Sequence, residues 1–426
     1  MSIPLVLSIL PPVLLIAGLP IYLVLLVSAG AAILGFMSVP PTLIPQIMFG
    51  GLDKFALLSV PFFIFAGEIM ARGGVSRRIV ACILSLCGRF KAARPITTIA
   101  ASEFFGAVSG SSPATVAAMG KLMYPSLREG GYGEKFSLGL LTSAGGIASV
   151  MPPSILMILY AASAEQSVTE LFAAGVIPAL LLGFATLVYI LWHARKVKPV
   201  PEARRSAVET VALVLGALPA LGTPLVILGG IYSGVFSPTE SAGIAGVYGI
   251  LVARFLYREI SWCEIWEVVV SSARLTAQIL LVVAASGVFS WVLTTSGIPQ
   301  ALVQSVGGLA DSPWVVLIAI NLFLLVVGCL IDPVSAIVLL TPMLVPLASH
   351  LGIDLVHFGV IMAVNLSIGM FTPPFGLNIF TSHALFNVKI STICAGLVPF
   401  IVLQVITLFV ISFIPWLSLV GAQFVR

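Results

Sequence analysis

Charge is what this sequence has least of. Only 8% of its 426 residues are Asp, Glu, Lys or Arg, against about 25% in ordinary soluble domains. So little charge cannot solvate a water-facing surface of this size. A soluble multidomain protein, a disordered chain and a nucleic-acid-binding domain are thereby excluded. Cysteine is also scarce. Cys82, Cys87, Cys263, Cys329 and Cys394 form no CxxC pair, which argues against a disulfide scaffold or zinc module and reads as buried packing. The four histidines are not paired at ligand spacing, and neither a P-loop nor a nucleophile–base pair is present. The chain is therefore read as a non-enzyme without a cofactor, whose energy comes from an ion gradient or another chain. No basic n-region precedes the first apolar stretch, so no cleavable signal is expected.

Apolar residues, by contrast, make up 59% of the chain, and the mean hydropathy is +1.17. This is the composition of a protein dissolved in a lipid bilayer. With about 20 residues needed per crossing, ten spans are expected near 3–18, 20–38, 55–71, 136–163, 168–193, 207–235, 240–257, 274–294, 355–382 and 390–420. The stretch 3–38 is ambiguous between one long helix and two spans. Two further apolar stretches, 95–124 and 312–349, are interrupted at Ser109-Gly110-Ser111-Ser112-Pro113 and at Asp332-Pro333. Each is too long for one span and turns at its centre, so both read as re-entrant helical hairpins. Irregular backbone at that depth is tolerated only inside protein or against a wet cavity.

Basic residues give the orientation. If 168–193 runs inward, 18 of the 20 Lys and Arg residues fall on the cytoplasmic side, and only Lys54 and Arg426 fall outside. The chain also repeats. At a single constant offset and without a gap, Pro125, Pro152, Pro153 and Pro178 fall on Pro346, Pro373, Pro374 and Pro399. An odd number of crossings separates the copies, so an inverted-topology repeat is expected. Residues 1–205 form the first half and 206–426 the second, as in secondary transporters.

Each half places a hairpin before a broken helix. The breaks span Ala144-Gly145-Gly146 to Met151-Pro152-Pro153-Ser154, and Ser367-Ile368-Gly369 to Thr372-Pro373-Pro374. Paired prolines remove amide donors and free carbonyl oxygens. Freed carbonyls and hydroxyls suit Na⁺, and the amides of the following half-helix suit an anion. The first hairpin tip carries Ser109, Ser111, Ser112 and Thr115, which either bind a ligand or cap the second hairpin helix. At the second tip, Asp332 reads as a helix cap, with ion contact as the competing role, and Ser335 supplies the one hydroxyl. Asn365 and Asn378 flank the second break, and Ser154 and Pro373 lie within the breaks. These four, with Thr115, are the candidate substrate-facing residues. Glu68 reads as a partner of Arg72, or else as a proton or subunit contact. Glu240 reads as a cap.

Four segments carry a family resemblance: Pro61–Glu68 (PFFIFAGE), Gly106–Ser112 (GAVSGSS), Gly230–Glu240 (GIYSGVFSPTE) and Thr372–Asn378 (TPPFGLN). With them, essentially the whole chain resembles the large membrane subunit of tripartite ATP-independent periplasmic (TRAP) transporters. The resemblance implies an all-α, elevator-type importer of organic acids in the bacterial inner membrane, driven by Na⁺. It implies a periplasmic substrate-binding protein and a small four-helix membrane subunit as partners, the latter expected as a separate chain. It implies a transport domain made of both hairpins and both broken helices, moving against a scaffold of the remaining helices. It further implies Na⁺ near Ser109, Gly110, Ser111 and Ser112 with Gly145 and Gly146, and near Asp332 and Ser335 with Gly369 and Thr372. The competing readings are a self-sufficient Na⁺–anion symporter and, in another class, an intramembrane enzyme or a channel.

Overall fold

The structure, a computed structural model, describes residues 3–88, 90–197, 200, 206–306 and 313–425. All regular structure among them is helical. The first part comprises α1 (Ile3–Ile16), α2 (Ile21–Phe36), α3 (Leu43–Leu52), a 3₁₀ turn (Phe55–Leu58), α4 (Ser59–Arg72), α5 (Val75–Cys87), α6 (Ala93–Ser109), α7 (Ser112–Glu129), α8 (Glu134–Ala148), α9 (Ile155–Ala164) and α10 (Val168–Ala194). The rest comprises α11 (Ala207–Tyr232), α12 (Pro238–Ile250) with a π turn (Leu251–Leu256), α13 (Trp262–Thr295), α14 (Ile298–Val306), α15 (Pro313–Leu330), α16 (Pro333–His350), α17 (Leu355–Gly369), α18 (Leu377–Phe386), α19 (Ile390–Phe413) and α20 (Trp416–Gln423).

Among the described residues, seven helices are long and apolar enough to cross a bilayer: Phe55–Arg72, α10, α11, α13, α15, α16 and α19. The stretch 3–38 divides at residues 17–20 into two helices that pack together. At 1.5 Å per residue these are about 21 and 24 Å long, short of the roughly 30 Å hydrocarbon core. The expected span 274–294 lies within a 34-residue helix that begins at Trp262. Helices α3, α5, α14 and α20 are additions to the expected layout. On α5, Val75, Ile79, Cys82 and Ile83 are buried while Arg77 is exposed, the pattern of a helix with one apolar stripe. Cys263 corrects the cysteine reading, since it is exposed at the start of α13. Arg89, Lys198, Arg204, Arg205 and Arg426 lie outside the described residues.

Both interrupted stretches form helix–turn–helix pairs, α6–α7 and α15–α16, and both proline-paired stretches are broken, α8–α9 and α17–α18. The helix limits recur along the chain. The offset that carries Pro152 onto Pro373 also carries Ser112–Glu129 onto Pro333–His350 and Glu134–Ala148 onto Leu355–Gly369, at both ends of each helix. The bonds Pro152–Pro153 and Pro373–Pro374 are both cis. α8 from Phe136 to Ala148 and α17 from Val356 to Gly369 are buried on every side, as expected of helices apolar around their whole circumference. α8 packs on α6, α7 and α19, while α17 packs on α15, α16 and α10. α4, α12 and α13 form one packed group through α4, and α13 also meets α2, α3 and α16.

The basic side chains satisfy helix ends and acids. Arg77 and Arg78 both meet Glu259. Arg94 donates to Ser126 O at 2.8 Å and Arg128 to Tyr132 O at 2.7 Å. Glu240 closes a capping box with Ser237, in keeping with the sequence reading.

Candidate functional site

A cavity of about 390 Å³ lies where the two hairpin turns approach α4 and α13. One wall is Ser109–Ala114 of the first hairpin and Asp332–Val334 of the second. The rest of the wall is Ile64, Gly67, Glu68 and Ala71 of α4, with Gly67 packed directly against Ser109, and Leu275 and Ile279 of α13. Ser149, Ile155, Leu156, Met370 and Leu377, from the two helix breaks, close it. The turns and breaks singled out in the sequence, one set in each half of the chain, thus converge on one space.

Local chemistry explains why the first turn has its shape. Gly110 has φ +56°, which favours glycine, and a Cβ there would lie 2.9 Å from Pro153 O. The turn therefore rests directly on the α8–α9 break. Ser109 Oγ accepts from Ser111 N at 3.3 Å, and Thr115 Oγ1 donates to Ser111 O at 2.8 Å. Ser112 and Asn378 hydrogen-bond, and Asn378 Nδ2 also donates to Thr142 O at 3.1 Å. Gly145 lies beneath Ser112, since a Cβ there would come within 2.9 Å of Ser112 O. Gly146 faces Phe371 and Ser367 O.

At the second turn, Asp332 Oδ1 accepts from Ser335 N at 2.9 Å, an N-cap for α16, while the residue also lines the cavity. Ser335 Oγ is buried and has no hydrogen-bond partner among the described residues. Gly369 abuts the backbone of Gly328, so no side chain fits between α15 and α17. Thr372 Oγ1 donates to Ile368 O at 2.8 Å. Pro373 lies in the break between α17 and α18.

The substrate-facing candidates are Thr115, Ser154, Asn365, Pro373 and Asn378. None of the five lines the cavity; Asn378 stands behind it as the hydrogen-bond partner of the cation candidate Ser112, and Pro373 is exposed in the break. Thr115, Ser154, Asn365 and Asn378 are fully buried inside the helix assembly. Asn365 Nδ2 donates to Asn321 Oδ1 at 2.7 Å, which places it between α17 and α15. Ser154 Oγ and Asn365 Oδ1 have no partner among the described residues. Oxygens left in this way are of the kind that hard cations take as ligands.

Sequence reasoning missed Ser149, whose Oγ donates to Gly146 O at 2.7 Å and lies 3.0 Å from Ser367 Oγ, joining the two breaks. Its position in the first break was the available signal. Glu68 lines the cavity and does pair with Arg72, at 3.0 Å. It also accepts from Ser271 Oγ at 2.6 Å and Ser272 Oγ at 3.0 Å, contacts that sequence spacing cannot disclose. Both of its oxygens are therefore held from α4 and α13.

Comparison with known proteins agrees with this architecture. In solved structures, a crystal structure of the Alcanivorax borkumensis YdaH transporter matches with a TM-score of 0.58 over 95% of this chain and 98% of that one. The sequence identity is 15%, so the likeness is one of fold. The chain is 39% identical over 367 residues to the C4-dicarboxylate TRAP transporter large permease protein DctM of Pseudomonas aeruginosa, covering 86% of each. It is 36% identical to the ectoine TRAP transporter large permease protein TeaC of Halomonas elongata, covering 95% of this chain and 96% of that one. It is 37% identical to the isethionate TRAP transporter permease protein DctMQ of Oleidesulfovibrio alaskensis, covering 94% of this chain and 63% of that longer protein. The family described as "Tripartite ATP-independent periplasmic transporter, DctM component" matches residues 9–417. This multi-pass membrane protein belongs to that family, the large membrane subunits of TRAP transporters.

Proposed function

We propose that the chain is the membrane-embedded pathway of a Na⁺-driven importer of a small organic acid in the bacterial inner membrane. One observation carries the reading. The cavity between the hairpin turns and the α4–α13 wall presents two carboxylates, Glu68 and Asp332, and no Lys or Arg among its described lining residues. Glu68 has Arg72 as counter-ion, whereas the described salt bridges give Asp332 none. A negatively charged substrate entering such a space needs cations brought in with it, because like charges at close range are costly in low dielectric. The hydroxyl and carbonyl oxygens of Ser109–Ser112 and of the second turn supply the coordination that Na⁺ requires. At about 390 Å³, the cavity suits a ligand of small-molecule size.

The recurrence of helix limits at one constant offset supports an inverted-topology repeat. The two hairpins and two broken helices then slide as one body against α4, α12 and α13, exposing the cavity alternately to the two sides. The eighteen-to-two division of basic residues supports an inward placement of the loop after α10. A separate binding protein delivers substrate, and a small membrane subunit completes the complex, as the names of the relatives support. Purified chain and partners in liposomes test this: substrate uptake should need both an inward Na⁺ gradient and the binding protein. Uptake independent of the binding protein would favour a self-sufficient symporter.

A further inference from the structure

Glu103 has no place in the transport cycle argued above, yet it is the most anomalous side chain in the first hairpin. It sits past the middle of α6, between Ala93 at its start and the turn residue Ser109 at its end. Its carboxyl group presses on Gly183, where even one added methyl group would collide with Glu103 Oε1. Gly183 is near the middle of α10, a 27-residue apolar helix. The neighbouring surface is hydrocarbon: Phe104 is 43% exposed, Leu180 50% and Phe184 61%. Glu103 Oε1 is buried and has no hydrogen-bond partner among the described residues.

None of the charged groups on the helices packed against α6 makes a described ion pair or hydrogen bond with Glu103. On α4, Glu68 and Arg72 hold each other. On α5, Arg77 and Arg78 meet Glu259. On α7, Arg128 binds Tyr132 O, and Lys121 and Glu129 make no described ion pair; on α8, Glu134 and Lys135 lie in the first turn. On α10, Tyr189 lies beyond Gly183 by about 9 Å along the axis at 1.5 Å per residue, and His193 and Glu170 lie further still. On α11, Glu209 caps Ser206 at the first turn, and Tyr232 is the last residue. No described salt bridge or hydrogen bond reaches Glu103.

A carboxylate left unpaired in hydrocarbon pays a large desolvation penalty, and the group avoids it by taking up a proton. We infer that Glu103 is a proton-binding site on the first hairpin: an uncharged carboxylic acid buried against Gly183, between α6 and α10. Loss of that proton would place a bare charge on an element that the transport reading requires to move. The inference therefore adds a proton-sensitive group to that reading, although the group's chemistry can be tested without any transport.

Hydrophobic carbodiimides partition into lipid and react with protonated carboxyls. The acid O–H adds across one C=N bond, nothing leaves, and the adduct rearranges to an N-acylurea that keeps the whole reagent mass. Purified full-length chain in lipid nanodiscs is treated with dicyclohexylcarbodiimide, or with a water-soluble carbodiimide, and peptides are mapped by mass. Glu103 should carry the dicyclohexyl adduct at neutral pH and escape the water-soluble reagent. Labelling should fall by about tenfold per pH unit once the acid ionises. Glu103→Gln should be unlabelled, should fold as well as the parent, and should keep its uptake at alkaline pH where the parent loses it. Unlabelled Glu103 in folded parent protein would overturn the inference, as would equal labelling by the water-soluble reagent. Either result would leave Na⁺-driven uptake, measured separately, untouched.

Discussion

Asn378 Nδ2 donates to Ser112 Oγ at 2.8 Å, across 266 residues of sequence. The same amide reaches Thr142 O at 3.1 Å, so one buried side chain ties the first hairpin to both broken helices. Truncating it leaves a buried carbonyl and a buried hydroxyl short of a partner. Asn378→Ala should lower stability by about 1–3 kcal/mol, the usual range for a buried group left unpaired. It should also raise the Na⁺ concentration giving half-maximal uptake, because Ser112 loses its anchor. Thermal unfolding in detergent and Na⁺ titration of uptake check the two effects.

Asp332 separates a cap from a charge. Its Oδ1 accepts from Ser335 N at 2.9 Å, a bond that Asn can also accept. Asp332→Asn should keep the melting temperature of the parent, whereas Asp332→Ala should cost about 0.5–2 kcal/mol by loss of the cap. If the charge serves cation binding, Asp332→Asn should nonetheless weaken Na⁺ dependence. Unchanged Na⁺ curves in a stable Asn variant would reduce Asp332 to its capping role.

Gly369 and Gly328 bring α17 and α15 into backbone contact. A methyl group at Gly369 has nowhere to go without moving a hairpin helix. Gly369→Ala should therefore destabilise by about 1–3 kcal/mol, the range for overpacking a close contact. Gly243→Ala, inside α12 where the added methyl meets nothing within 4 Å, is the control and should not lower the melting temperature.

Lys54 Nζ donates to Ala162 O at 2.6 Å, at the last turn of α9, and lies 3.9 Å from Glu165. If α9 belongs to the moving body, this bond holds one end of the cycle. Lys54→Met should favour the other state, so that Ser163→Cys, beside this contact, changes its rate of reaction with an impermeant maleimide severalfold. An unchanged rate would mean that the bond does not restrain α9.

The long apolar helices, both hairpin turns and both proline breaks could be read from the sequence, because each has a local signature: a run of apolar residues, or a cluster of Ser, Gly and Pro inside one. Ser109–Ser112 and Asp332 were found on that basis. Helices α3 and α5 were not, because a 10-residue apolar helix is too short for a span and an amphipathic 13-residue one lacks the hydropathy of one. The α4–α13 wall was illegible for another reason. Glu68 is recognisable beside Arg72, but its bonds to Ser271 and Ser272 join distant parts of the chain, and only folding brings them together. Asn365 and Asn378 share a helix region in sequence, yet one faces Asn321 and the other Ser112.

The most direct test of the account is the Na⁺ dependence of uptake in liposomes holding the parent chain with its small subunit and binding protein, set beside Ser112→Ala. The account predicts uptake in an inward Na⁺ gradient, none in choline, and for Ser112→Ala a Na⁺ requirement raised by about tenfold for each 1.4 kcal/mol of lost coordination. Equal uptake in Na⁺ and choline would contradict it. An unshifted Na⁺ curve in a normally folded Ser112→Ala protein would remove the cation from the first hairpin turn.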